Sequence, residues 1–322
     1  MRQFGAIALV AATLGCGAPG PQFESATDAI LGGAPDGAHP GVVVVRNPRG
    51  TCTGTVLSPH LVLTARHCVA DEPGASVPCP ANDPSAPRVP SYSGDVAPGS
   101  VSISLTRTSA PVATAVAFFD DGAASGCGHD LAVVQVDAAL ALPASAFRAT
   151  VPADGDSVTV VGWGVVDDAR TPAAERYAKE AAIVAVGPAS FRYSPYGDPM
   201  QGTNTEPVVD GELLLTAGTT GLGDCGGPAF DAPGAIVGTD ARGFAHPAYG
   251  PTHLSSTAAH ADVLAAAFRA AGETPAAVPA APTSGGGGTA TGGTAAGGCA
   301  STAGAGWLAL AMLLARRRSL QC

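Results

Sequence analysis

Apolar positions in this chain come in short runs set off by turn-forming residues. Val42-Val43-Val44-Val45 is a continuous apolar run and reads as a buried strand. Thr51 to Leu63 continues in strand-like pieces, broken at Ser58-Pro59-His60. Val101-Ser102-Ile103-Ser104-Leu105 alternates with period two and predicts a half-exposed strand. Further strands are expected at Leu131 to Val136, Ser157 to Val161, Ala181 to Val186, Glu212 to Thr216 and Ala235 to Val237. Asp71 to Gly99, rich in Pro, Ser, Asp and Gly, reads mostly as loop. Ser256 to Ala271 has helical composition. Many short strands between Gly and Pro turns mean a barrel or a sandwich, and the pattern does not choose between them.

Composition narrows the class. The chain has 322 residues, 46% hydrophobic and only 13% charged, enough for a sizeable core. A formal net charge of −10 argues against binding a phosphate backbone, so no nucleic-acid partner is expected. The 43 glycines and 28 prolines suit a turn-rich β fold with a low-complexity tail. The seven histidines are scattered without ligand spacing, and the Gly-rich tail lacks the Lys and flanking strand of a phosphate loop. Neither a metal site nor a cofactor is expected.

The ends read as export and anchoring devices. Residues 1–16 form a signal peptide, with Arg2 before a short apolar core. Thr13-Leu14-Gly15-Cys16 resembles a bacterial lipoprotein signal, which makes Cys16 a lipid acceptor. Residues 17–29 read as a polar spacer or propeptide. Residues 272–298 are dominated by Gly, Ala, Pro and Thr and serve as a linker. Residues 299–322 join Cys299, an apolar segment and Arg316-Arg317-Arg318. That layout resembles a C-terminal sorting signal of the myxobacterial type, which implies an exported protein held at the membrane through one or both termini.

The chemistry centres on Gly221-Leu222-Gly223-Asp224-Cys225-Gly226-Gly227-Pro228. Upstream stand Leu63-Thr64-Ala65-Arg66-His67-Cys68, His129-Asp130-Leu131-Ala132-Val133-Val134 and an Ile30-Leu31-Gly32-Gly33 start. Together these resemble the trypsin/chymotrypsin family of serine proteases (peptidase S1), with Cys225 in place of the nucleophilic Ser. The resemblance implies an all-β fold of two packed six-stranded antiparallel β-barrels and a C-terminal helix. The protease domain would span 30–271, with barrels near 30–150 and 151–256 and the helix at 256–271.

It also implies roles. His67 would be the base, Asp130 its orienting acid and Cys225 the nucleophile. The backbone N–H groups of Gly223 and Cys225 would form an oxyanion hole. A cut by an activating protease before Ile30 would free an ammonium group to pair with Asp224, making the chain a zymogen. Cys52–Cys68 would pin the His loop. By elimination Cys127 pairs with Cys79 and ties down the long Pro-rich loop, leaving Cys225 free. Thr219 would lie at the base of the specificity pocket, with Gly238 and Asp240 on its wall and entrance. With no carboxylate at Thr219, small or medium uncharged side chains are expected. Gly238 would leave Asp130 without a Ser partner, and Arg66 is expected to face solvent. His pairing is expected to lower the Cys225 pKa. The partners are protein or peptide substrates, and the chain is expected to be a monomer. Two outcomes stay open for Cys225: an endopeptidase working through sulfur, or a weak or inactive homologue acting as a binding module.

Overall fold

The computed structural model describes Ile30 and residues 33–279, except 73, 166–170, 196–197, 217–218 and 244–249. The signal, spacer and sorting segments, with Cys16 and Cys299, lie outside the described residues.

Six strands close the first barrel: β1 (Val42–Asn47), β2 (Gly50–Ser58), β3 (Leu61–Thr64), β4 (Ser102–Ser104), β5 (Pro111–Phe119) and β6 (Ala132–Val136). Their order around the barrel is β5-β6-β3-β2-β1-β4. The valine run of β1 is buried throughout because both of its faces are covered. Val43 and Val45 fill the barrel with Val56, Val62, Ile103 and Val134. Val42 and Val44 face the other way, toward Leu61, Leu63, Trp163, Phe230 and the C-terminal helix. Burying each such side chain contributes about 1.5–3 kcal/mol.

The second barrel uses β7 (Ser157–Gly162), β8 (Tyr177–Val186), β9 (Glu212–Leu215), β10 (Pro228–Asp231), β11 (Ile236–Arg242) and β12 (Thr252–Ser256). They run in the order β8-β7-β10-β11-β12-β9, and pairing of β8 with β9 closes the ring. Val158, Val160, Ile183, Leu213, Leu215, Val237 and Leu254 fill it, with Ile30 among them. All of these ladders are antiparallel.

The C-terminal helix α1 (Ala261–Ala271) starts later than its composition predicts. Thr252–Ser256 is committed to ladders with β9 and β11, so the chain turns helical only after His260. The helix buries Val263, Leu264, Ala267 and Phe268 against the first barrel, and left-handed Gly272 ends it. No helix among the described residues is long and apolar enough to cross a membrane.

Three other expectations change. The strand at Ser102–Ser104 is not half exposed: Ser104 is buried and its Oγ accepts from Arg46 Nε at 3.0 Å. The nine-residue β5 begins on a proline, which the first position of a strand tolerates. Its alanine-rich pattern hid it. Arg66 does not face solvent. It is 4% exposed, lies over the Tyr92 ring and pairs with Asp120 at 3.1 Å and Asp121 at 3.6 Å.

Candidate active site

The two barrels meet around the 221–228 turn, and the first barrel supplies two of the groups that face it. A short 3-10 turn, Arg66–Cys68, follows β3 and carries His67. The Cys52–Cys68 disulfide (S–S 2.00 Å) ties this turn to β2. Asp130 lies just before β6, which pairs with β3 so that Ala132 stands opposite Thr64. The ladder register thus brings His67 and Asp130 together across 63 positions of sequence.

Asp130 is 2% exposed, and both of its oxygens are used. Oδ2 lies 2.7 Å from His67 Nδ1. Oδ1 accepts the His67 backbone N–H at 2.7 Å and the Tyr92 hydroxyl at 2.9 Å. An Nδ1–H donated to the carboxylate leaves Nε2 facing the cleft, where His67 hydrogen-bonds the Cys225 side chain. Burial alone would lower the His67 pKa, but the adjacent Asp130 carboxylate raises it well above the usual value. Cys225 behaves differently from the expectation of a lowered pKa. It is 1% exposed, and burial pushes its thiol up to about 11 against the opposing pull of His67. The thiol is therefore neutral at ordinary pH.

The turn is stitched to the first barrel through Thr53 on β2. Its N–H donates to the Cys225 carbonyl at 2.8 Å, and its hydroxyl donates to the Gly223 carbonyl at 2.9 Å. That hydroxyl also accepts the Trp163 N–H at 3.0 Å. Gly226, at φ +77°, passes so close to Thr64 and the Thr53 carbonyl that a Cβ would collide with both. Gly223 has φ +92°, and among the described residues neither its N–H nor that of Cys225 meets an acceptor.

Asp224 is 1% exposed. Its oxygens accept the N–H groups of Gly164 at 2.7 Å and Gly221 at 2.9 Å, and the Ile30 N–H joins them. Gly162 and Gly164 are needed there, because a Cβ on either would overlap the carboxylate. Burial raises the Asp224 pKa to about 6, against the pull of those N–H groups and of Arg107. Ile30 itself is 1% exposed and sits at φ +51°, a left-handed conformation foreign to a β-branched residue.

The candidate pocket residues are all buried. Thr219 is buried, and its hydroxyl donates to the Thr216 carbonyl. Gly238 stands opposite Ala229 and Ser256 inside the ladder, where a Cβ would press on Leu254 and the Ser255 carbonyl. The partner of Asp130 comes instead from Tyr92. Asp240 does not stand at an entrance. It is 2% exposed, exchanges two backbone hydrogen bonds with Gly226 and Gly227, and hydrogen-bonds the Thr220 hydroxyl. Burial, with Asp224 close by, raises its pKa well above the usual range. An open cleft of about 260 Å³ runs along the other side of His67, lined by Arg49, Thr51, Arg107, Leu222 and Gly223. The Cys79–Cys127 disulfide closes the 79–127 loop just before Asp130. Two disulfides are the mark of an exported protein.

Tyr92, Thr53 and Asp240 were missed or misplaced by sequence reasoning. Tyr92 sits in a loop with no motif, and Thr53 reads as any strand threonine.

Two closed six-stranded barrels, with this cluster between them, define a protein of the chymotrypsin fold. Residues 52–238, more than half the chain, match the model of the trypsin-like peptidase domain, and the chain belongs to that family. Among solved structures, human heparin binding protein resembles it at 15% identity and a TM-score of 0.53, over 77% of this chain and 100% of the other. The scabies mite inactivated protease paralogue S-D1 does so at 18% identity and a TM-score of 0.54, over the same shares of the two chains. At these identities the likeness shows the fold alone.

Proposed function

We propose that this chain is an exported endopeptidase anchored in the cell envelope, with Cys225 in the place its family gives to Ser, cutting peptide bonds through His67, Asp130 and Cys225. The observation that carries this reading is the His67 ring bonded to Asp130 on one side and to the Cys225 thiol on the other. His67 Nε2 takes the thiol proton as Sγ bonds to the substrate carbonyl carbon. The N–H groups of Gly223 and Cys225 receive the oxyanion, each worth about 2.7–4 kcal/mol in such a hole. The C–N bond then breaks as His67 returns the proton to the leaving amine. Water, deprotonated by His67, opens the thioester, and the sulfur regains its proton.

The chain is made as a precursor. A cut before Ile30 gives an ammonium group that pairs with Asp224, whose oxygens already accept the Ile30 N–H. Of the residues expected at the specificity pocket, Thr219, Gly238 and Asp240, none presents an exposed carboxylate, Asp240 being 2% exposed, and this favours uncharged side chains before the scissile bond. The test is cleavage of a peptide library by protein cut at Ile30, with and without iodoacetamide. Turnover that is lost in Cys225→Ala supports the reading; turnover indifferent to that change ends it.

A second reading, a binding module on the same fold, is favoured by one observation. The Cys225 thiol is buried and held neutral, a poor resting state for a sulfur nucleophile. A pull-down unchanged by Cys225→Ala, from protein that shows no turnover, would support it.

A further inference from the structure

Three ligand-bearing side chains converge from two parts of the sequence. Asp121 and His129 lie in the loop between β5 and β6, and His260 is the residue just before α1. One donor atom from each lies within 4.8 Å of the other two. The other cluster of this kind, Cys52, His67 and Cys68, has both sulfurs locked in a disulfide.

We propose that Asp121, His129 and His260 form a binding site for a divalent transition metal ion of the zinc class. The Asp121 carboxylate divides its work. Oδ1 is held by the Ala123 N–H at 3.1 Å and lies 3.6 Å from the Arg66 guanidinium. Oδ2 faces the imidazoles, 2.6 Å from His129 Nδ1 and 3.8 Å from His260 Nε2. His260 is buried, and its Nδ1–H donates to the Ser256 carbonyl at 2.8 Å. That bond fixes the ring and places Nε2 on the side of Oδ2, where both atoms are within reach of one bound ion. A metal-bound histidine whose second nitrogen donates to a carbonyl, and a ligating carboxylate with its own hydrogen bonds, are the usual supports of a metal site.

The spacing fits. Ligands at about 2.0–2.1 Å from a tetrahedral zinc stand roughly 3.3 Å apart. The observed separations bracket that value, and the His129 side chain, half exposed, has room to adjust. Two imidazoles and one carboxylate select zinc, cobalt or nickel over the oxygen-seeking magnesium and calcium. Asp120 balances the nearby Arg66 at 3.1 Å, so that guanidinium does not stand as an uncompensated charge against the ion. The ion would clip the loop that ends at Asp130 to the start of α1.

Cobalt(II) and zinc titration of the full chain tests the site. The expected result is one equivalent of cobalt with ligand-field bands of four-coordination, no thiolate charge-transfer band, and displacement by zinc. His129→Ala, at an exposed position that does not threaten folding, should weaken binding by about 100-fold, at or above the upper end of what loss of a supporting residue costs. Asp121→Asn should weaken it in the same way. Absence of saturable binding at micromolar metal overturns the proposal. So does binding that His129→Ala leaves unchanged, or cobalt spectra that report thiolate ligation.

Discussion

The Tyr92 hydroxyl donates to Asp130 Oδ1 at 2.9 Å, on the oxygen that also takes the His67 backbone N–H. Burial first, and then the Asp130 carboxylate, raises the Tyr92 pKa, so it remains a donor. Tyr92→Phe leaves a buried carboxylate short of one partner. The expected loss is about 1.5–3 kcal/mol of stability, as for a hydrogen bond to a charged group. Chemical unfolding reads it, and a loss below 0.5 kcal/mol, roughly the floor for any hydrogen bond, would show that the hydroxyl is dispensable.

Cys225 should alkylate slowly at neutral pH and faster up to about pH 11, since burial holds the folded thiol protonated. The unfolded chain should react with a midpoint near the ordinary value of about 8.5. Turnover should also rise toward alkaline pH, because Asp130 raises the His67 pKa and the ring acts as a base only without that proton. A rate of iodoacetamide labelling that is flat from pH 6 to 9 in the folded protein would contradict this.

Asp224 gives the precursor and the cut form opposite pH behaviour. With its folded pKa raised to about 6 from 3.8, the uncut chain loses stability as pH rises from 3.8 through 6. In the cut form the Ile30 ammonium favours the carboxylate, so stability should instead be held as pH rises from 3.8. Melting temperatures of the two forms should therefore diverge between pH 3.8 and 6 and stay apart above it. Parallel curves would mean that the new terminus does not reach Asp224.

A buried ion cluster joins β9, β11 and β12. Arg242 Nη2 lies 2.9 Å from Glu212, and His253 lies 3.0 Å from both Glu212 and Glu206. Burial pulls the Glu212 carboxyl up, but Arg242 and His253 prevail and hold it at about 2, below the usual 4.5. The stability it contributes is complete above pH 4.5 and is lost as pH falls toward 2. Arg242→Met strands a buried carboxylate and should cost about 3–5 kcal/mol at neutral pH. A cost under 1 kcal/mol would place the cluster among pairs that merely offset their own desolvation.

Asp240 sets a test of specificity. Buried beside Thr220 with its pKa raised, it should leave uncharged residues preferred before the scissile bond, and Asp240→Asn should not alter that profile. A library that shows preference for Arg or Lys, abolished by Asp240→Asn, would reverse the assignment.

The strands were legible because they carry dense β-branched runs, as in Val42–Val45, and the barrels only through the family resemblance carried by His67, Asp130 and the glycine turn, each in a distinctive local string. What escaped is non-local. Tyr92 reaches Asp130 across 38 positions from a loop whose composition says only "turn". Arg66 looks like a surface cation until Asp120, Asp121 and Tyr92 close over it. Asp240 changed from an entrance group to a buried one because the β11 ladder, not local pattern, decides which face a strand residue shows. The α1 boundary moved for the same reason, since Ser256 is spent on ladder pairing.

Ile30 is held at φ +51° while it remains joined to Ala29. A torsion about N–Cα needs a preceding carbonyl carbon to define it, and a first residue has none. A cut at this bond would therefore delete the unfavourable angle instead of rotating it. The side chain would stay in its pocket, and rejoining the peptide would have to restore the strain. Such a step is a ratchet: local geometry would drive it forward and resist its return.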